Sequence, residues 1–280
     1  MFGPENFPAP ERNANAREQA LYDPFCEDQE IMEMVSTAIR KKQVLLAFQP
    51  VIQTRDTSKA AFYEGLIRVL DASGRIIPAG AFMEAIEATD LGRQLDALAL
   101  DKGLRTLFEN PQLRISINMS ARSINYAPWT RTLERWLSRD EALAERLIVE
   151  ITESSALQAP ELLIDFMGCH QKMGISFAMD DFGSGYTALR YFKDFNFDIL
   201  KIDGQFIKGI ARCSDNRAMT TALVSIAKHF DMMVVAEFVE TQEDVETLSQ
   251  MGVDCLQGYC FGAATTQPPW AQPLAIAQAV

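Results

Sequence analysis

Short apolar runs alternate with longer amphipathic stretches over most of this chain. Runs rich in β-branched and aromatic residues predict strands at 44–51, 60–67, 113–117, 147–149, 176–179, around 199–200, 233–236 and 254–256. The helical stretches are better marked. Pro160 opens one, with Leu162, Leu163, Phe166 and Met167 on one stripe, since proline fits a first helical turn. Residues 216–230 place Met219, Leu223, Ile226 and Phe230 at helical spacing. Thr241 and Asp244 form a capping box with Asp in place of the usual Glu, and that helix runs to Gly252, a residue suited to the turn that ends it. Strand–helix alternation repeated this often predicts parallel strands joined by crossover helices, an α/β fold.

The residue at which each apolar run stops carries the chemistry. The runs end at Glu64, Asn118, Glu150, the pair Asp180 and Asp181, Lys201, Glu237 and Gln257. In a (β/α)8 barrel the strand ends converge on one face, whereas a doubly wound sheet spreads them along an edge. One polar residue at a strand end is ordinary surface. The set is harder to dismiss, because it is dominated by carboxylates where surface ends would mix in Ser, Thr, Gly and Arg. Five carboxylates crowded together repel strongly, so such a cluster needs protons or cations. All-oxygen ligands without His or Cys favour Mg²⁺ or Mn²⁺ over zinc. Lys201 is then either a salt-bridge partner or a proton acceptor with a lowered pKa.

Composition narrows the classes. A net charge of −12 argues against a surface that coats a nucleic-acid polymer. Cys26, Cys169, Cys213, Cys255 and Cys260 are odd in number and form no C-x-x-C pair, which disfavours a disulfide scaffold or zinc site and reads as small core hydrophobes. Met32, Met34, Met232 and Met233 read as core filler, and His170 and His229 as structural, mid-helix residues. There is no P-loop, and Asp181-Phe182-Gly183 lacks the other kinase elements in order. No signal peptide and no span of about 18 apolar residues are recognised, so a cytoplasmic location is expected. Prolines crowd both ends (Pro4, Pro8, Pro10 and Pro24; Pro268, Pro269 and Pro273), and no linker-like run lies between. The expected division is an extended N-terminal segment at 1–27, one barrel domain at 28–264 and a proline-containing tail at 265–280.

Seven short elements in order resemble those of the EAL-domain cyclic di-GMP phosphodiesterases, over about residues 30–262. They are Glu64-Gly65-Leu66 with Arg68; Asn118-Met119-Ser120; Glu150-Ile151-Thr152-Glu153; Asp180-Asp181-Phe182-Gly183-Ser184-Gly185-Tyr186; Leu200-Lys201-Ile202-Asp203; Ala236-Glu237-Phe238-Val239-Glu240; and Leu256-Gln257-Gly258-Tyr259. Gly65 stands where that family has Ala, Ser184 where it has Thr, and Phe238 where it has Gly. The family's Lys-Pro after the last strand is absent, Phe261 being followed by Gly262, Ala263 and Ala264.

The resemblance implies a modified TIM (β/α)8 barrel whose first strand runs antiparallel. It also implies hydrolysis of cyclic di-GMP, a bacterial second messenger, to the linear dinucleotide by a cyclic-guanylate-specific phosphodiesterase. Two Mg²⁺ or Mn²⁺ ions are implied, one held by Glu64, Asn118, Glu150 and Asp180, the other by Asp180, Asp181 and Glu237. Lys201 and Glu237 are implied in catalysis, with Glu153 bracing the Asp180–Gly183 loop. Gln49, Leu66 and Arg68 resemble substrate contacts, and Glu240 and Gln257 resemble residues that position substrate or water. A homodimer through about residues 186–210 is implied as well. The alternative reading is a non-catalytic cyclic di-GMP receptor acting through a protein partner.

Overall fold

The chain is described here by a computed structural model covering residues 24–183 and 193–271. Helix α1 (Pro24–Arg40) leads into a hairpin of β1 (Val44–Gln53) and β2 (Asp56–Leu70). A short β3 (Ile76–Pro78) pairs antiparallel with the end of β2. Then come α2 (Met83–Ile86), α3 (Asp90–Glu109), β4 (Ile115–Asn118), α4 (Ala127–Leu137), β5 (Leu147–Thr152), α5 (Glu153–Ala156) and α6 (Pro160–Gln171). The second half runs β6 (Ser176–Phe182), β7 (Ile199–Ile202), α7 (Gly204–Ile207), α8 (Ser214–His229), β8 (Met233–Ala236), α9 (Gln242–Gln250) and β9 (Cys255–Leu256).

From β2 through β4 to β9 each strand pairs parallel with the next, as crossover helices require. β1 closes the circle by pairing antiparallel with both β2 and β9. The architecture is the eight-stranded barrel with an antiparallel first strand that the resemblance implies, with β3 outside the ring. β1 meets β9 only at Ile52 and Gln53, and past that point Thr265 bridges Phe48 instead. Trp270 then packs edge-on against Phe48 and Tyr63, so the chain beyond residue 264 continues along the barrel wall. Among the described residues no helix is long and apolar enough to cross a membrane.

The helix stripes differ in detail from the sequence pattern. On α8 the buried positions are Thr220, Leu223, Val224 and Ala227, while Met219 and Phe230 face solvent. The inward face is the row Thr220, Leu223, Val224 and Ala227 at 3–4 spacing. Leu162 is likewise exposed, leaving Leu163, Phe166 and Met167 to pack. The α9 capping box forms: Thr241 accepts from Asp244 N, and Gly252 takes φ = +78° after the last turn. His170 and His229 end their helices rather than sitting mid-helix, and His170 packs on Phe166 and Trp129. Cys255 is buried but Cys169 is exposed, so not every thiol is core filler. Pro4, Pro8, Pro10, Pro273, Ser184, Gly185 and Tyr186 lie outside the described residues.

Candidate active site

The barrel interior has two layers, and the period-2 alternation of the strands builds both. Val51, Phe62, Ile148, Ala178, Ile199, Val235 and Cys255 form a separate apolar cluster. Two residues further along six of the seven parallel strands stands a polar one: Glu64 after Phe62, Glu150 after Ile148, Asp180 after Ala178, Lys201 after Ile199, Glu237 after Val235 and Gln257 after Cys255, while on β4 Asn118 follows the buried Ser116. On the antiparallel β1 the order reverses, so Gln49 lies opposite Glu64 and Val51 opposite Phe62. The lower layer plugs the barrel and the upper layer is the site, on the face where barrel strands end. Glu64 corrects one expectation, since it lies within β2 rather than at its end. The strand continues because β1 and β3 still pair with it there.

Adjacent residues of a regular strand point to opposite faces, so Asp180 and Asp181 need a special device to reach the same site. The β6–β7 register shifts between Met179 and Phe182, and Asp181 takes φ = +53°. A bulge of this kind re-aims a side chain beside a site. Glu153 holds the turn that follows, its Oε2 accepting a 2.9 Å hydrogen bond from Gly183 N. Its own position follows from the chain: β5 passes directly into α5, which Thr152 caps by accepting from Ser155 N.

Lys201 is fully buried at the centre of the cluster. Its Nζ donates to Glu150 Oε2 at 2.7 Å and to Glu64 Oε2 at 3.3 Å. It also makes charge contacts with Asp180 Oδ1 at 2.8 Å and Glu237 Oε1 at 2.9 Å. Burial alone would push the ammonium toward neutrality, but Asp180, Glu150, Glu237 and Glu64 together hold its pKa well above the usual lysine value. Among these four carboxylates Lys201 is held as a charged salt-bridge partner. Burial, then the Glu64 charge, pushes Glu150 up to about 8. Burial, then the Asp180 charge, pushes Asp181 up to about 6, and Glu237 is raised well above the usual range, chiefly by burial. Glu64 goes the other way: burial is outweighed by the Lys201 charge and by hydrogen bonds from Gln257 and Asn118.

Amide side chains order the carboxylates. Asn118 Nδ2 donates to Glu64 Oε1 at 2.8 Å, and Gln257 Nε2 donates to Glu64 Oε2 at 2.6 Å. Gln49 donates to the Gly262 carbonyl and lies 3.4 Å from Gln257. Val239 N donates to Gln257 O and Cys260 N to Val239 O, so the turns after β8 and β9 form one unit. Gly258 is needed there, because a Cβ would fall on the Val239 backbone.

Two cavities open on either side of this cluster and share Glu64, Leu66, Asp180 and Asp181. The first, about 270 Å³, is walled by Met83, Leu95, Ala99 and Asp96. The second, about 230 Å³, is walled by Gln49, Phe238, Glu240, Gln257 and Tyr259. Arg68 lines neither; it is half-buried and donates to the Ile67 carbonyl. Sequence reasoning misses Asp96. It accepts from Ser123 Oγ at 2.6 Å and Ser120 N at 3.1 Å, and burial above all lifts its pKa to about 7. The available signal was a carboxylate between Leu95 and Ala97 on an otherwise apolar helix face.

The donor set fits a hard divalent cation. Carboxylate oxygens of Glu64, Glu150 and Asp180 lie within 4.8 Å of one another, and so do those of Asp180, Asp181 and Glu237. Glu150 Oε1 and Glu237 Oε2 are buried without a hydrogen-bond partner, which is costly unless something positive meets them. Oxygen ligands alone suit Mg²⁺ or Mn²⁺. Residues 32–264 match the EAL domain. The chain belongs to the EAL-domain family. The cyclic di-GMP phosphodiesterase PdeB of Shewanella oneidensis is 31% identical over 232 residues, covering 81% of this chain and 27% of PdeB. The cyclic di-GMP phosphodiesterase PdeF of Escherichia coli is 30% identical over 236 residues, covering 83% of this chain and 31% of PdeF. The chain thus spans about a third or less of these relatives' length. The solved PaMucR phosphodiesterase in complex with c-di-GMP superimposes with a TM-score of 0.76 at 28% identity, covering 84% of this chain and 97% of that one. An EAL domain protein from Listeria monocytogenes gives 0.73 at 27% identity, over 84% of this chain and 94% of that one.

Proposed function

We propose that this EAL domain hydrolyses cyclic di-GMP to the linear dinucleotide. The observation that carries the reading is the pair of cavities flanking one acidic floor, a shape suited to a ligand with two bases and two phosphates between them. The relatives named above are cyclic di-GMP phosphodiesterases, and the full set of acidic, amide and lysine side chains that the resemblance implies is present here. Glu64, Asn118, Glu150 and Asp180 would hold one ion, and Asp180, Asp181 and Glu237 the other. Bound divalent cations would neutralise the phosphodiester and acidify water. Lys201, hydrogen-bonded to Glu150 and Glu64, would hold or pass a proton at its Nζ. Gln257 and Asn118 fix the Glu64 carboxylate, and Glu153 keeps the Asp180–Asp181 bulge in place through Gly183. The segment suggested for dimer pairing, about 186–210, falls partly outside the described residues.

The test is product analysis and calorimetry on chelator-treated protein with each ion restored. Mg²⁺ or Mn²⁺ should restore turnover, and Ca²⁺ should permit binding without it. Turnover in the stripped protein would refute the metal-dependent reading. Binding of cyclic di-GMP without turnover in any ion would make the domain a receptor.

A further inference from the structure

Phe238 is in the left-handed backbone region at φ = +53°, where a bulky side chain is strained and persists only because its surroundings hold it. Those surroundings are specific. The ring lies so close to Gly204 that a Cβ there would come within 2.5 Å of it, and Lys208 Nζ stands 4.6 Å from the ring centroid. The turn carrying Phe238 is hydrogen-bonded to the turn carrying Tyr259. Yet the ring is not used up by packing: Phe238 is 46% exposed and Tyr259 73%, and both line the second cavity. A packing residue would be better served by burial, and the backbone by a glycine.

We infer that Phe238 is a stacking platform for one base of the substrate, an inference that rests on the proposed cyclic dinucleotide ligand. The acidic floor repels phosphates unless cations lie between, so the phosphates belong over Glu64, Asp180 and Asp181. What such a ligand presents sideways to the cavity wall is a planar base. A rigidly held aromatic ring is the surface that a base covers best, with little ordering cost because its position is already fixed.

The experiment compares the parent with Phe238→Gly, Phe238→Leu and Phe238→Trp in the full chain. Cyclic di-GMP is the probe, with calorimetry in Ca²⁺ and kinetics in Mg²⁺. Phe238→Gly should fold, since it relieves the backbone, and should weaken Kd and raise KM roughly tenfold while kcat moves less. Phe238→Leu should not recover the loss. Phe238→Trp should recover it, and its added emission should be quenched when ligand binds. Equal affinity of parent and Phe238→Gly overturns the platform, as does a Phe238→Trp emission that ligand leaves unchanged. A parent that binds but never hydrolyses removes the hydrolase reading alone, because the affinity comparison still decides the role of Phe238. A parent that does not bind cyclic di-GMP overturns both.

Discussion

Replacing Lys201 with Met should convert the site from a balanced cluster into a destabilising one. Methionine is similar in length and flexible, so the change removes charge more than volume. The ammonium has four carboxylate contacts between 2.7 and 3.3 Å. Each is worth about 5 kcal/mol of gross attraction at an effective dielectric near 20, against which the burial of Lys201 itself must be set. Breaking a buried pair by deleting one partner costs about 3–5 kcal/mol net. In a chain of this size that is a fall in Tm of roughly 10 °C. The pH dependence follows from Glu150, Glu237 and Asp181, whose pKa values lie above their unfolded ones. The stability such groups contribute is present below the unfolded pKa and lost as pH rises through the folded one, about 8 for Glu150. The penalty should therefore be large at pH 8 and smaller at pH 5.5, where protons replace the missing ammonium. Thermal melts of parent and Lys201→Met in chelator, at both pH values and with Mg²⁺ restored, measure this. Mg²⁺ should raise the variant more than the parent. Equal melting at pH 8 without metal would refute the assignment of Lys201 as the cation that balances the cluster.

Two further outcomes test the surroundings. Asp96 is raised to about 7 chiefly by burial, so its stabilising contribution is present below pH 4 and lost as pH rises through 7. Asp96→Asn keeps an acceptor for Ser123 and Ser120 without the charge, and should flatten the urea-measured stability profile over that window and make the variant the more stable protein at pH 8. Gly65→Ala would place a Cβ 2.7 Å from Ile117 Cδ1 and should cost about 1–3 kcal/mol. Adding Ile117→Val removes that methyl and should recover most of the loss in a double-mutant cycle; no coupling would show that the clash is absorbed elsewhere.

Much of the polar layer is legible in the sequence because alternation is local: a strand residue two positions beyond a buried apolar one faces the same way. This is why Glu150, Lys201, Glu237 and Gln257 can be picked from the chain and then found together. What depends on a neighbouring strand is not legible. Glu64 closes its apolar run although the strand expected at 60–67 continues past it; what cannot be seen in advance is the pairing of Arg68, Val69 and Leu70 with β3 that carries β2 on to Leu70. Asp181 needs the β6–β7 bulge to turn inward, and nothing in Asp180-Asp181 says which of the two is displaced. The α8 stripe misleads because Thr220 and Ala227, which carry little hydrophobic signal, are buried, while the larger Met219 is exposed. Asp96 escapes because a single carboxylate in a helix ordinarily marks a solvent face, and only its contacts with Ser120 and Ser123 show otherwise.

The two-layer interior also explains why the site is poised as it is. The apolar layer under the acids keeps the floor dry, and a dry floor strengthens every charge interaction above it, repulsive as well as attractive. With one lysine among Glu64, Glu150, Asp180, Asp181 and Glu237, burial and mutual repulsion raise the pKa values of Glu150, Asp181 and Glu237 above the usual carboxylate range. Such a floor could hold a cation, and any cation that bound there would add stability by pairing with the carboxylates. Neutral packing in place of the cluster would make a firmer barrel and would remove this response. The instability of the upper layer and its capacity to hold cations are the same electrostatic fact, set by which residues follow Phe62, Ile148, Ala178, Ile199 and Val235 two positions along their strands.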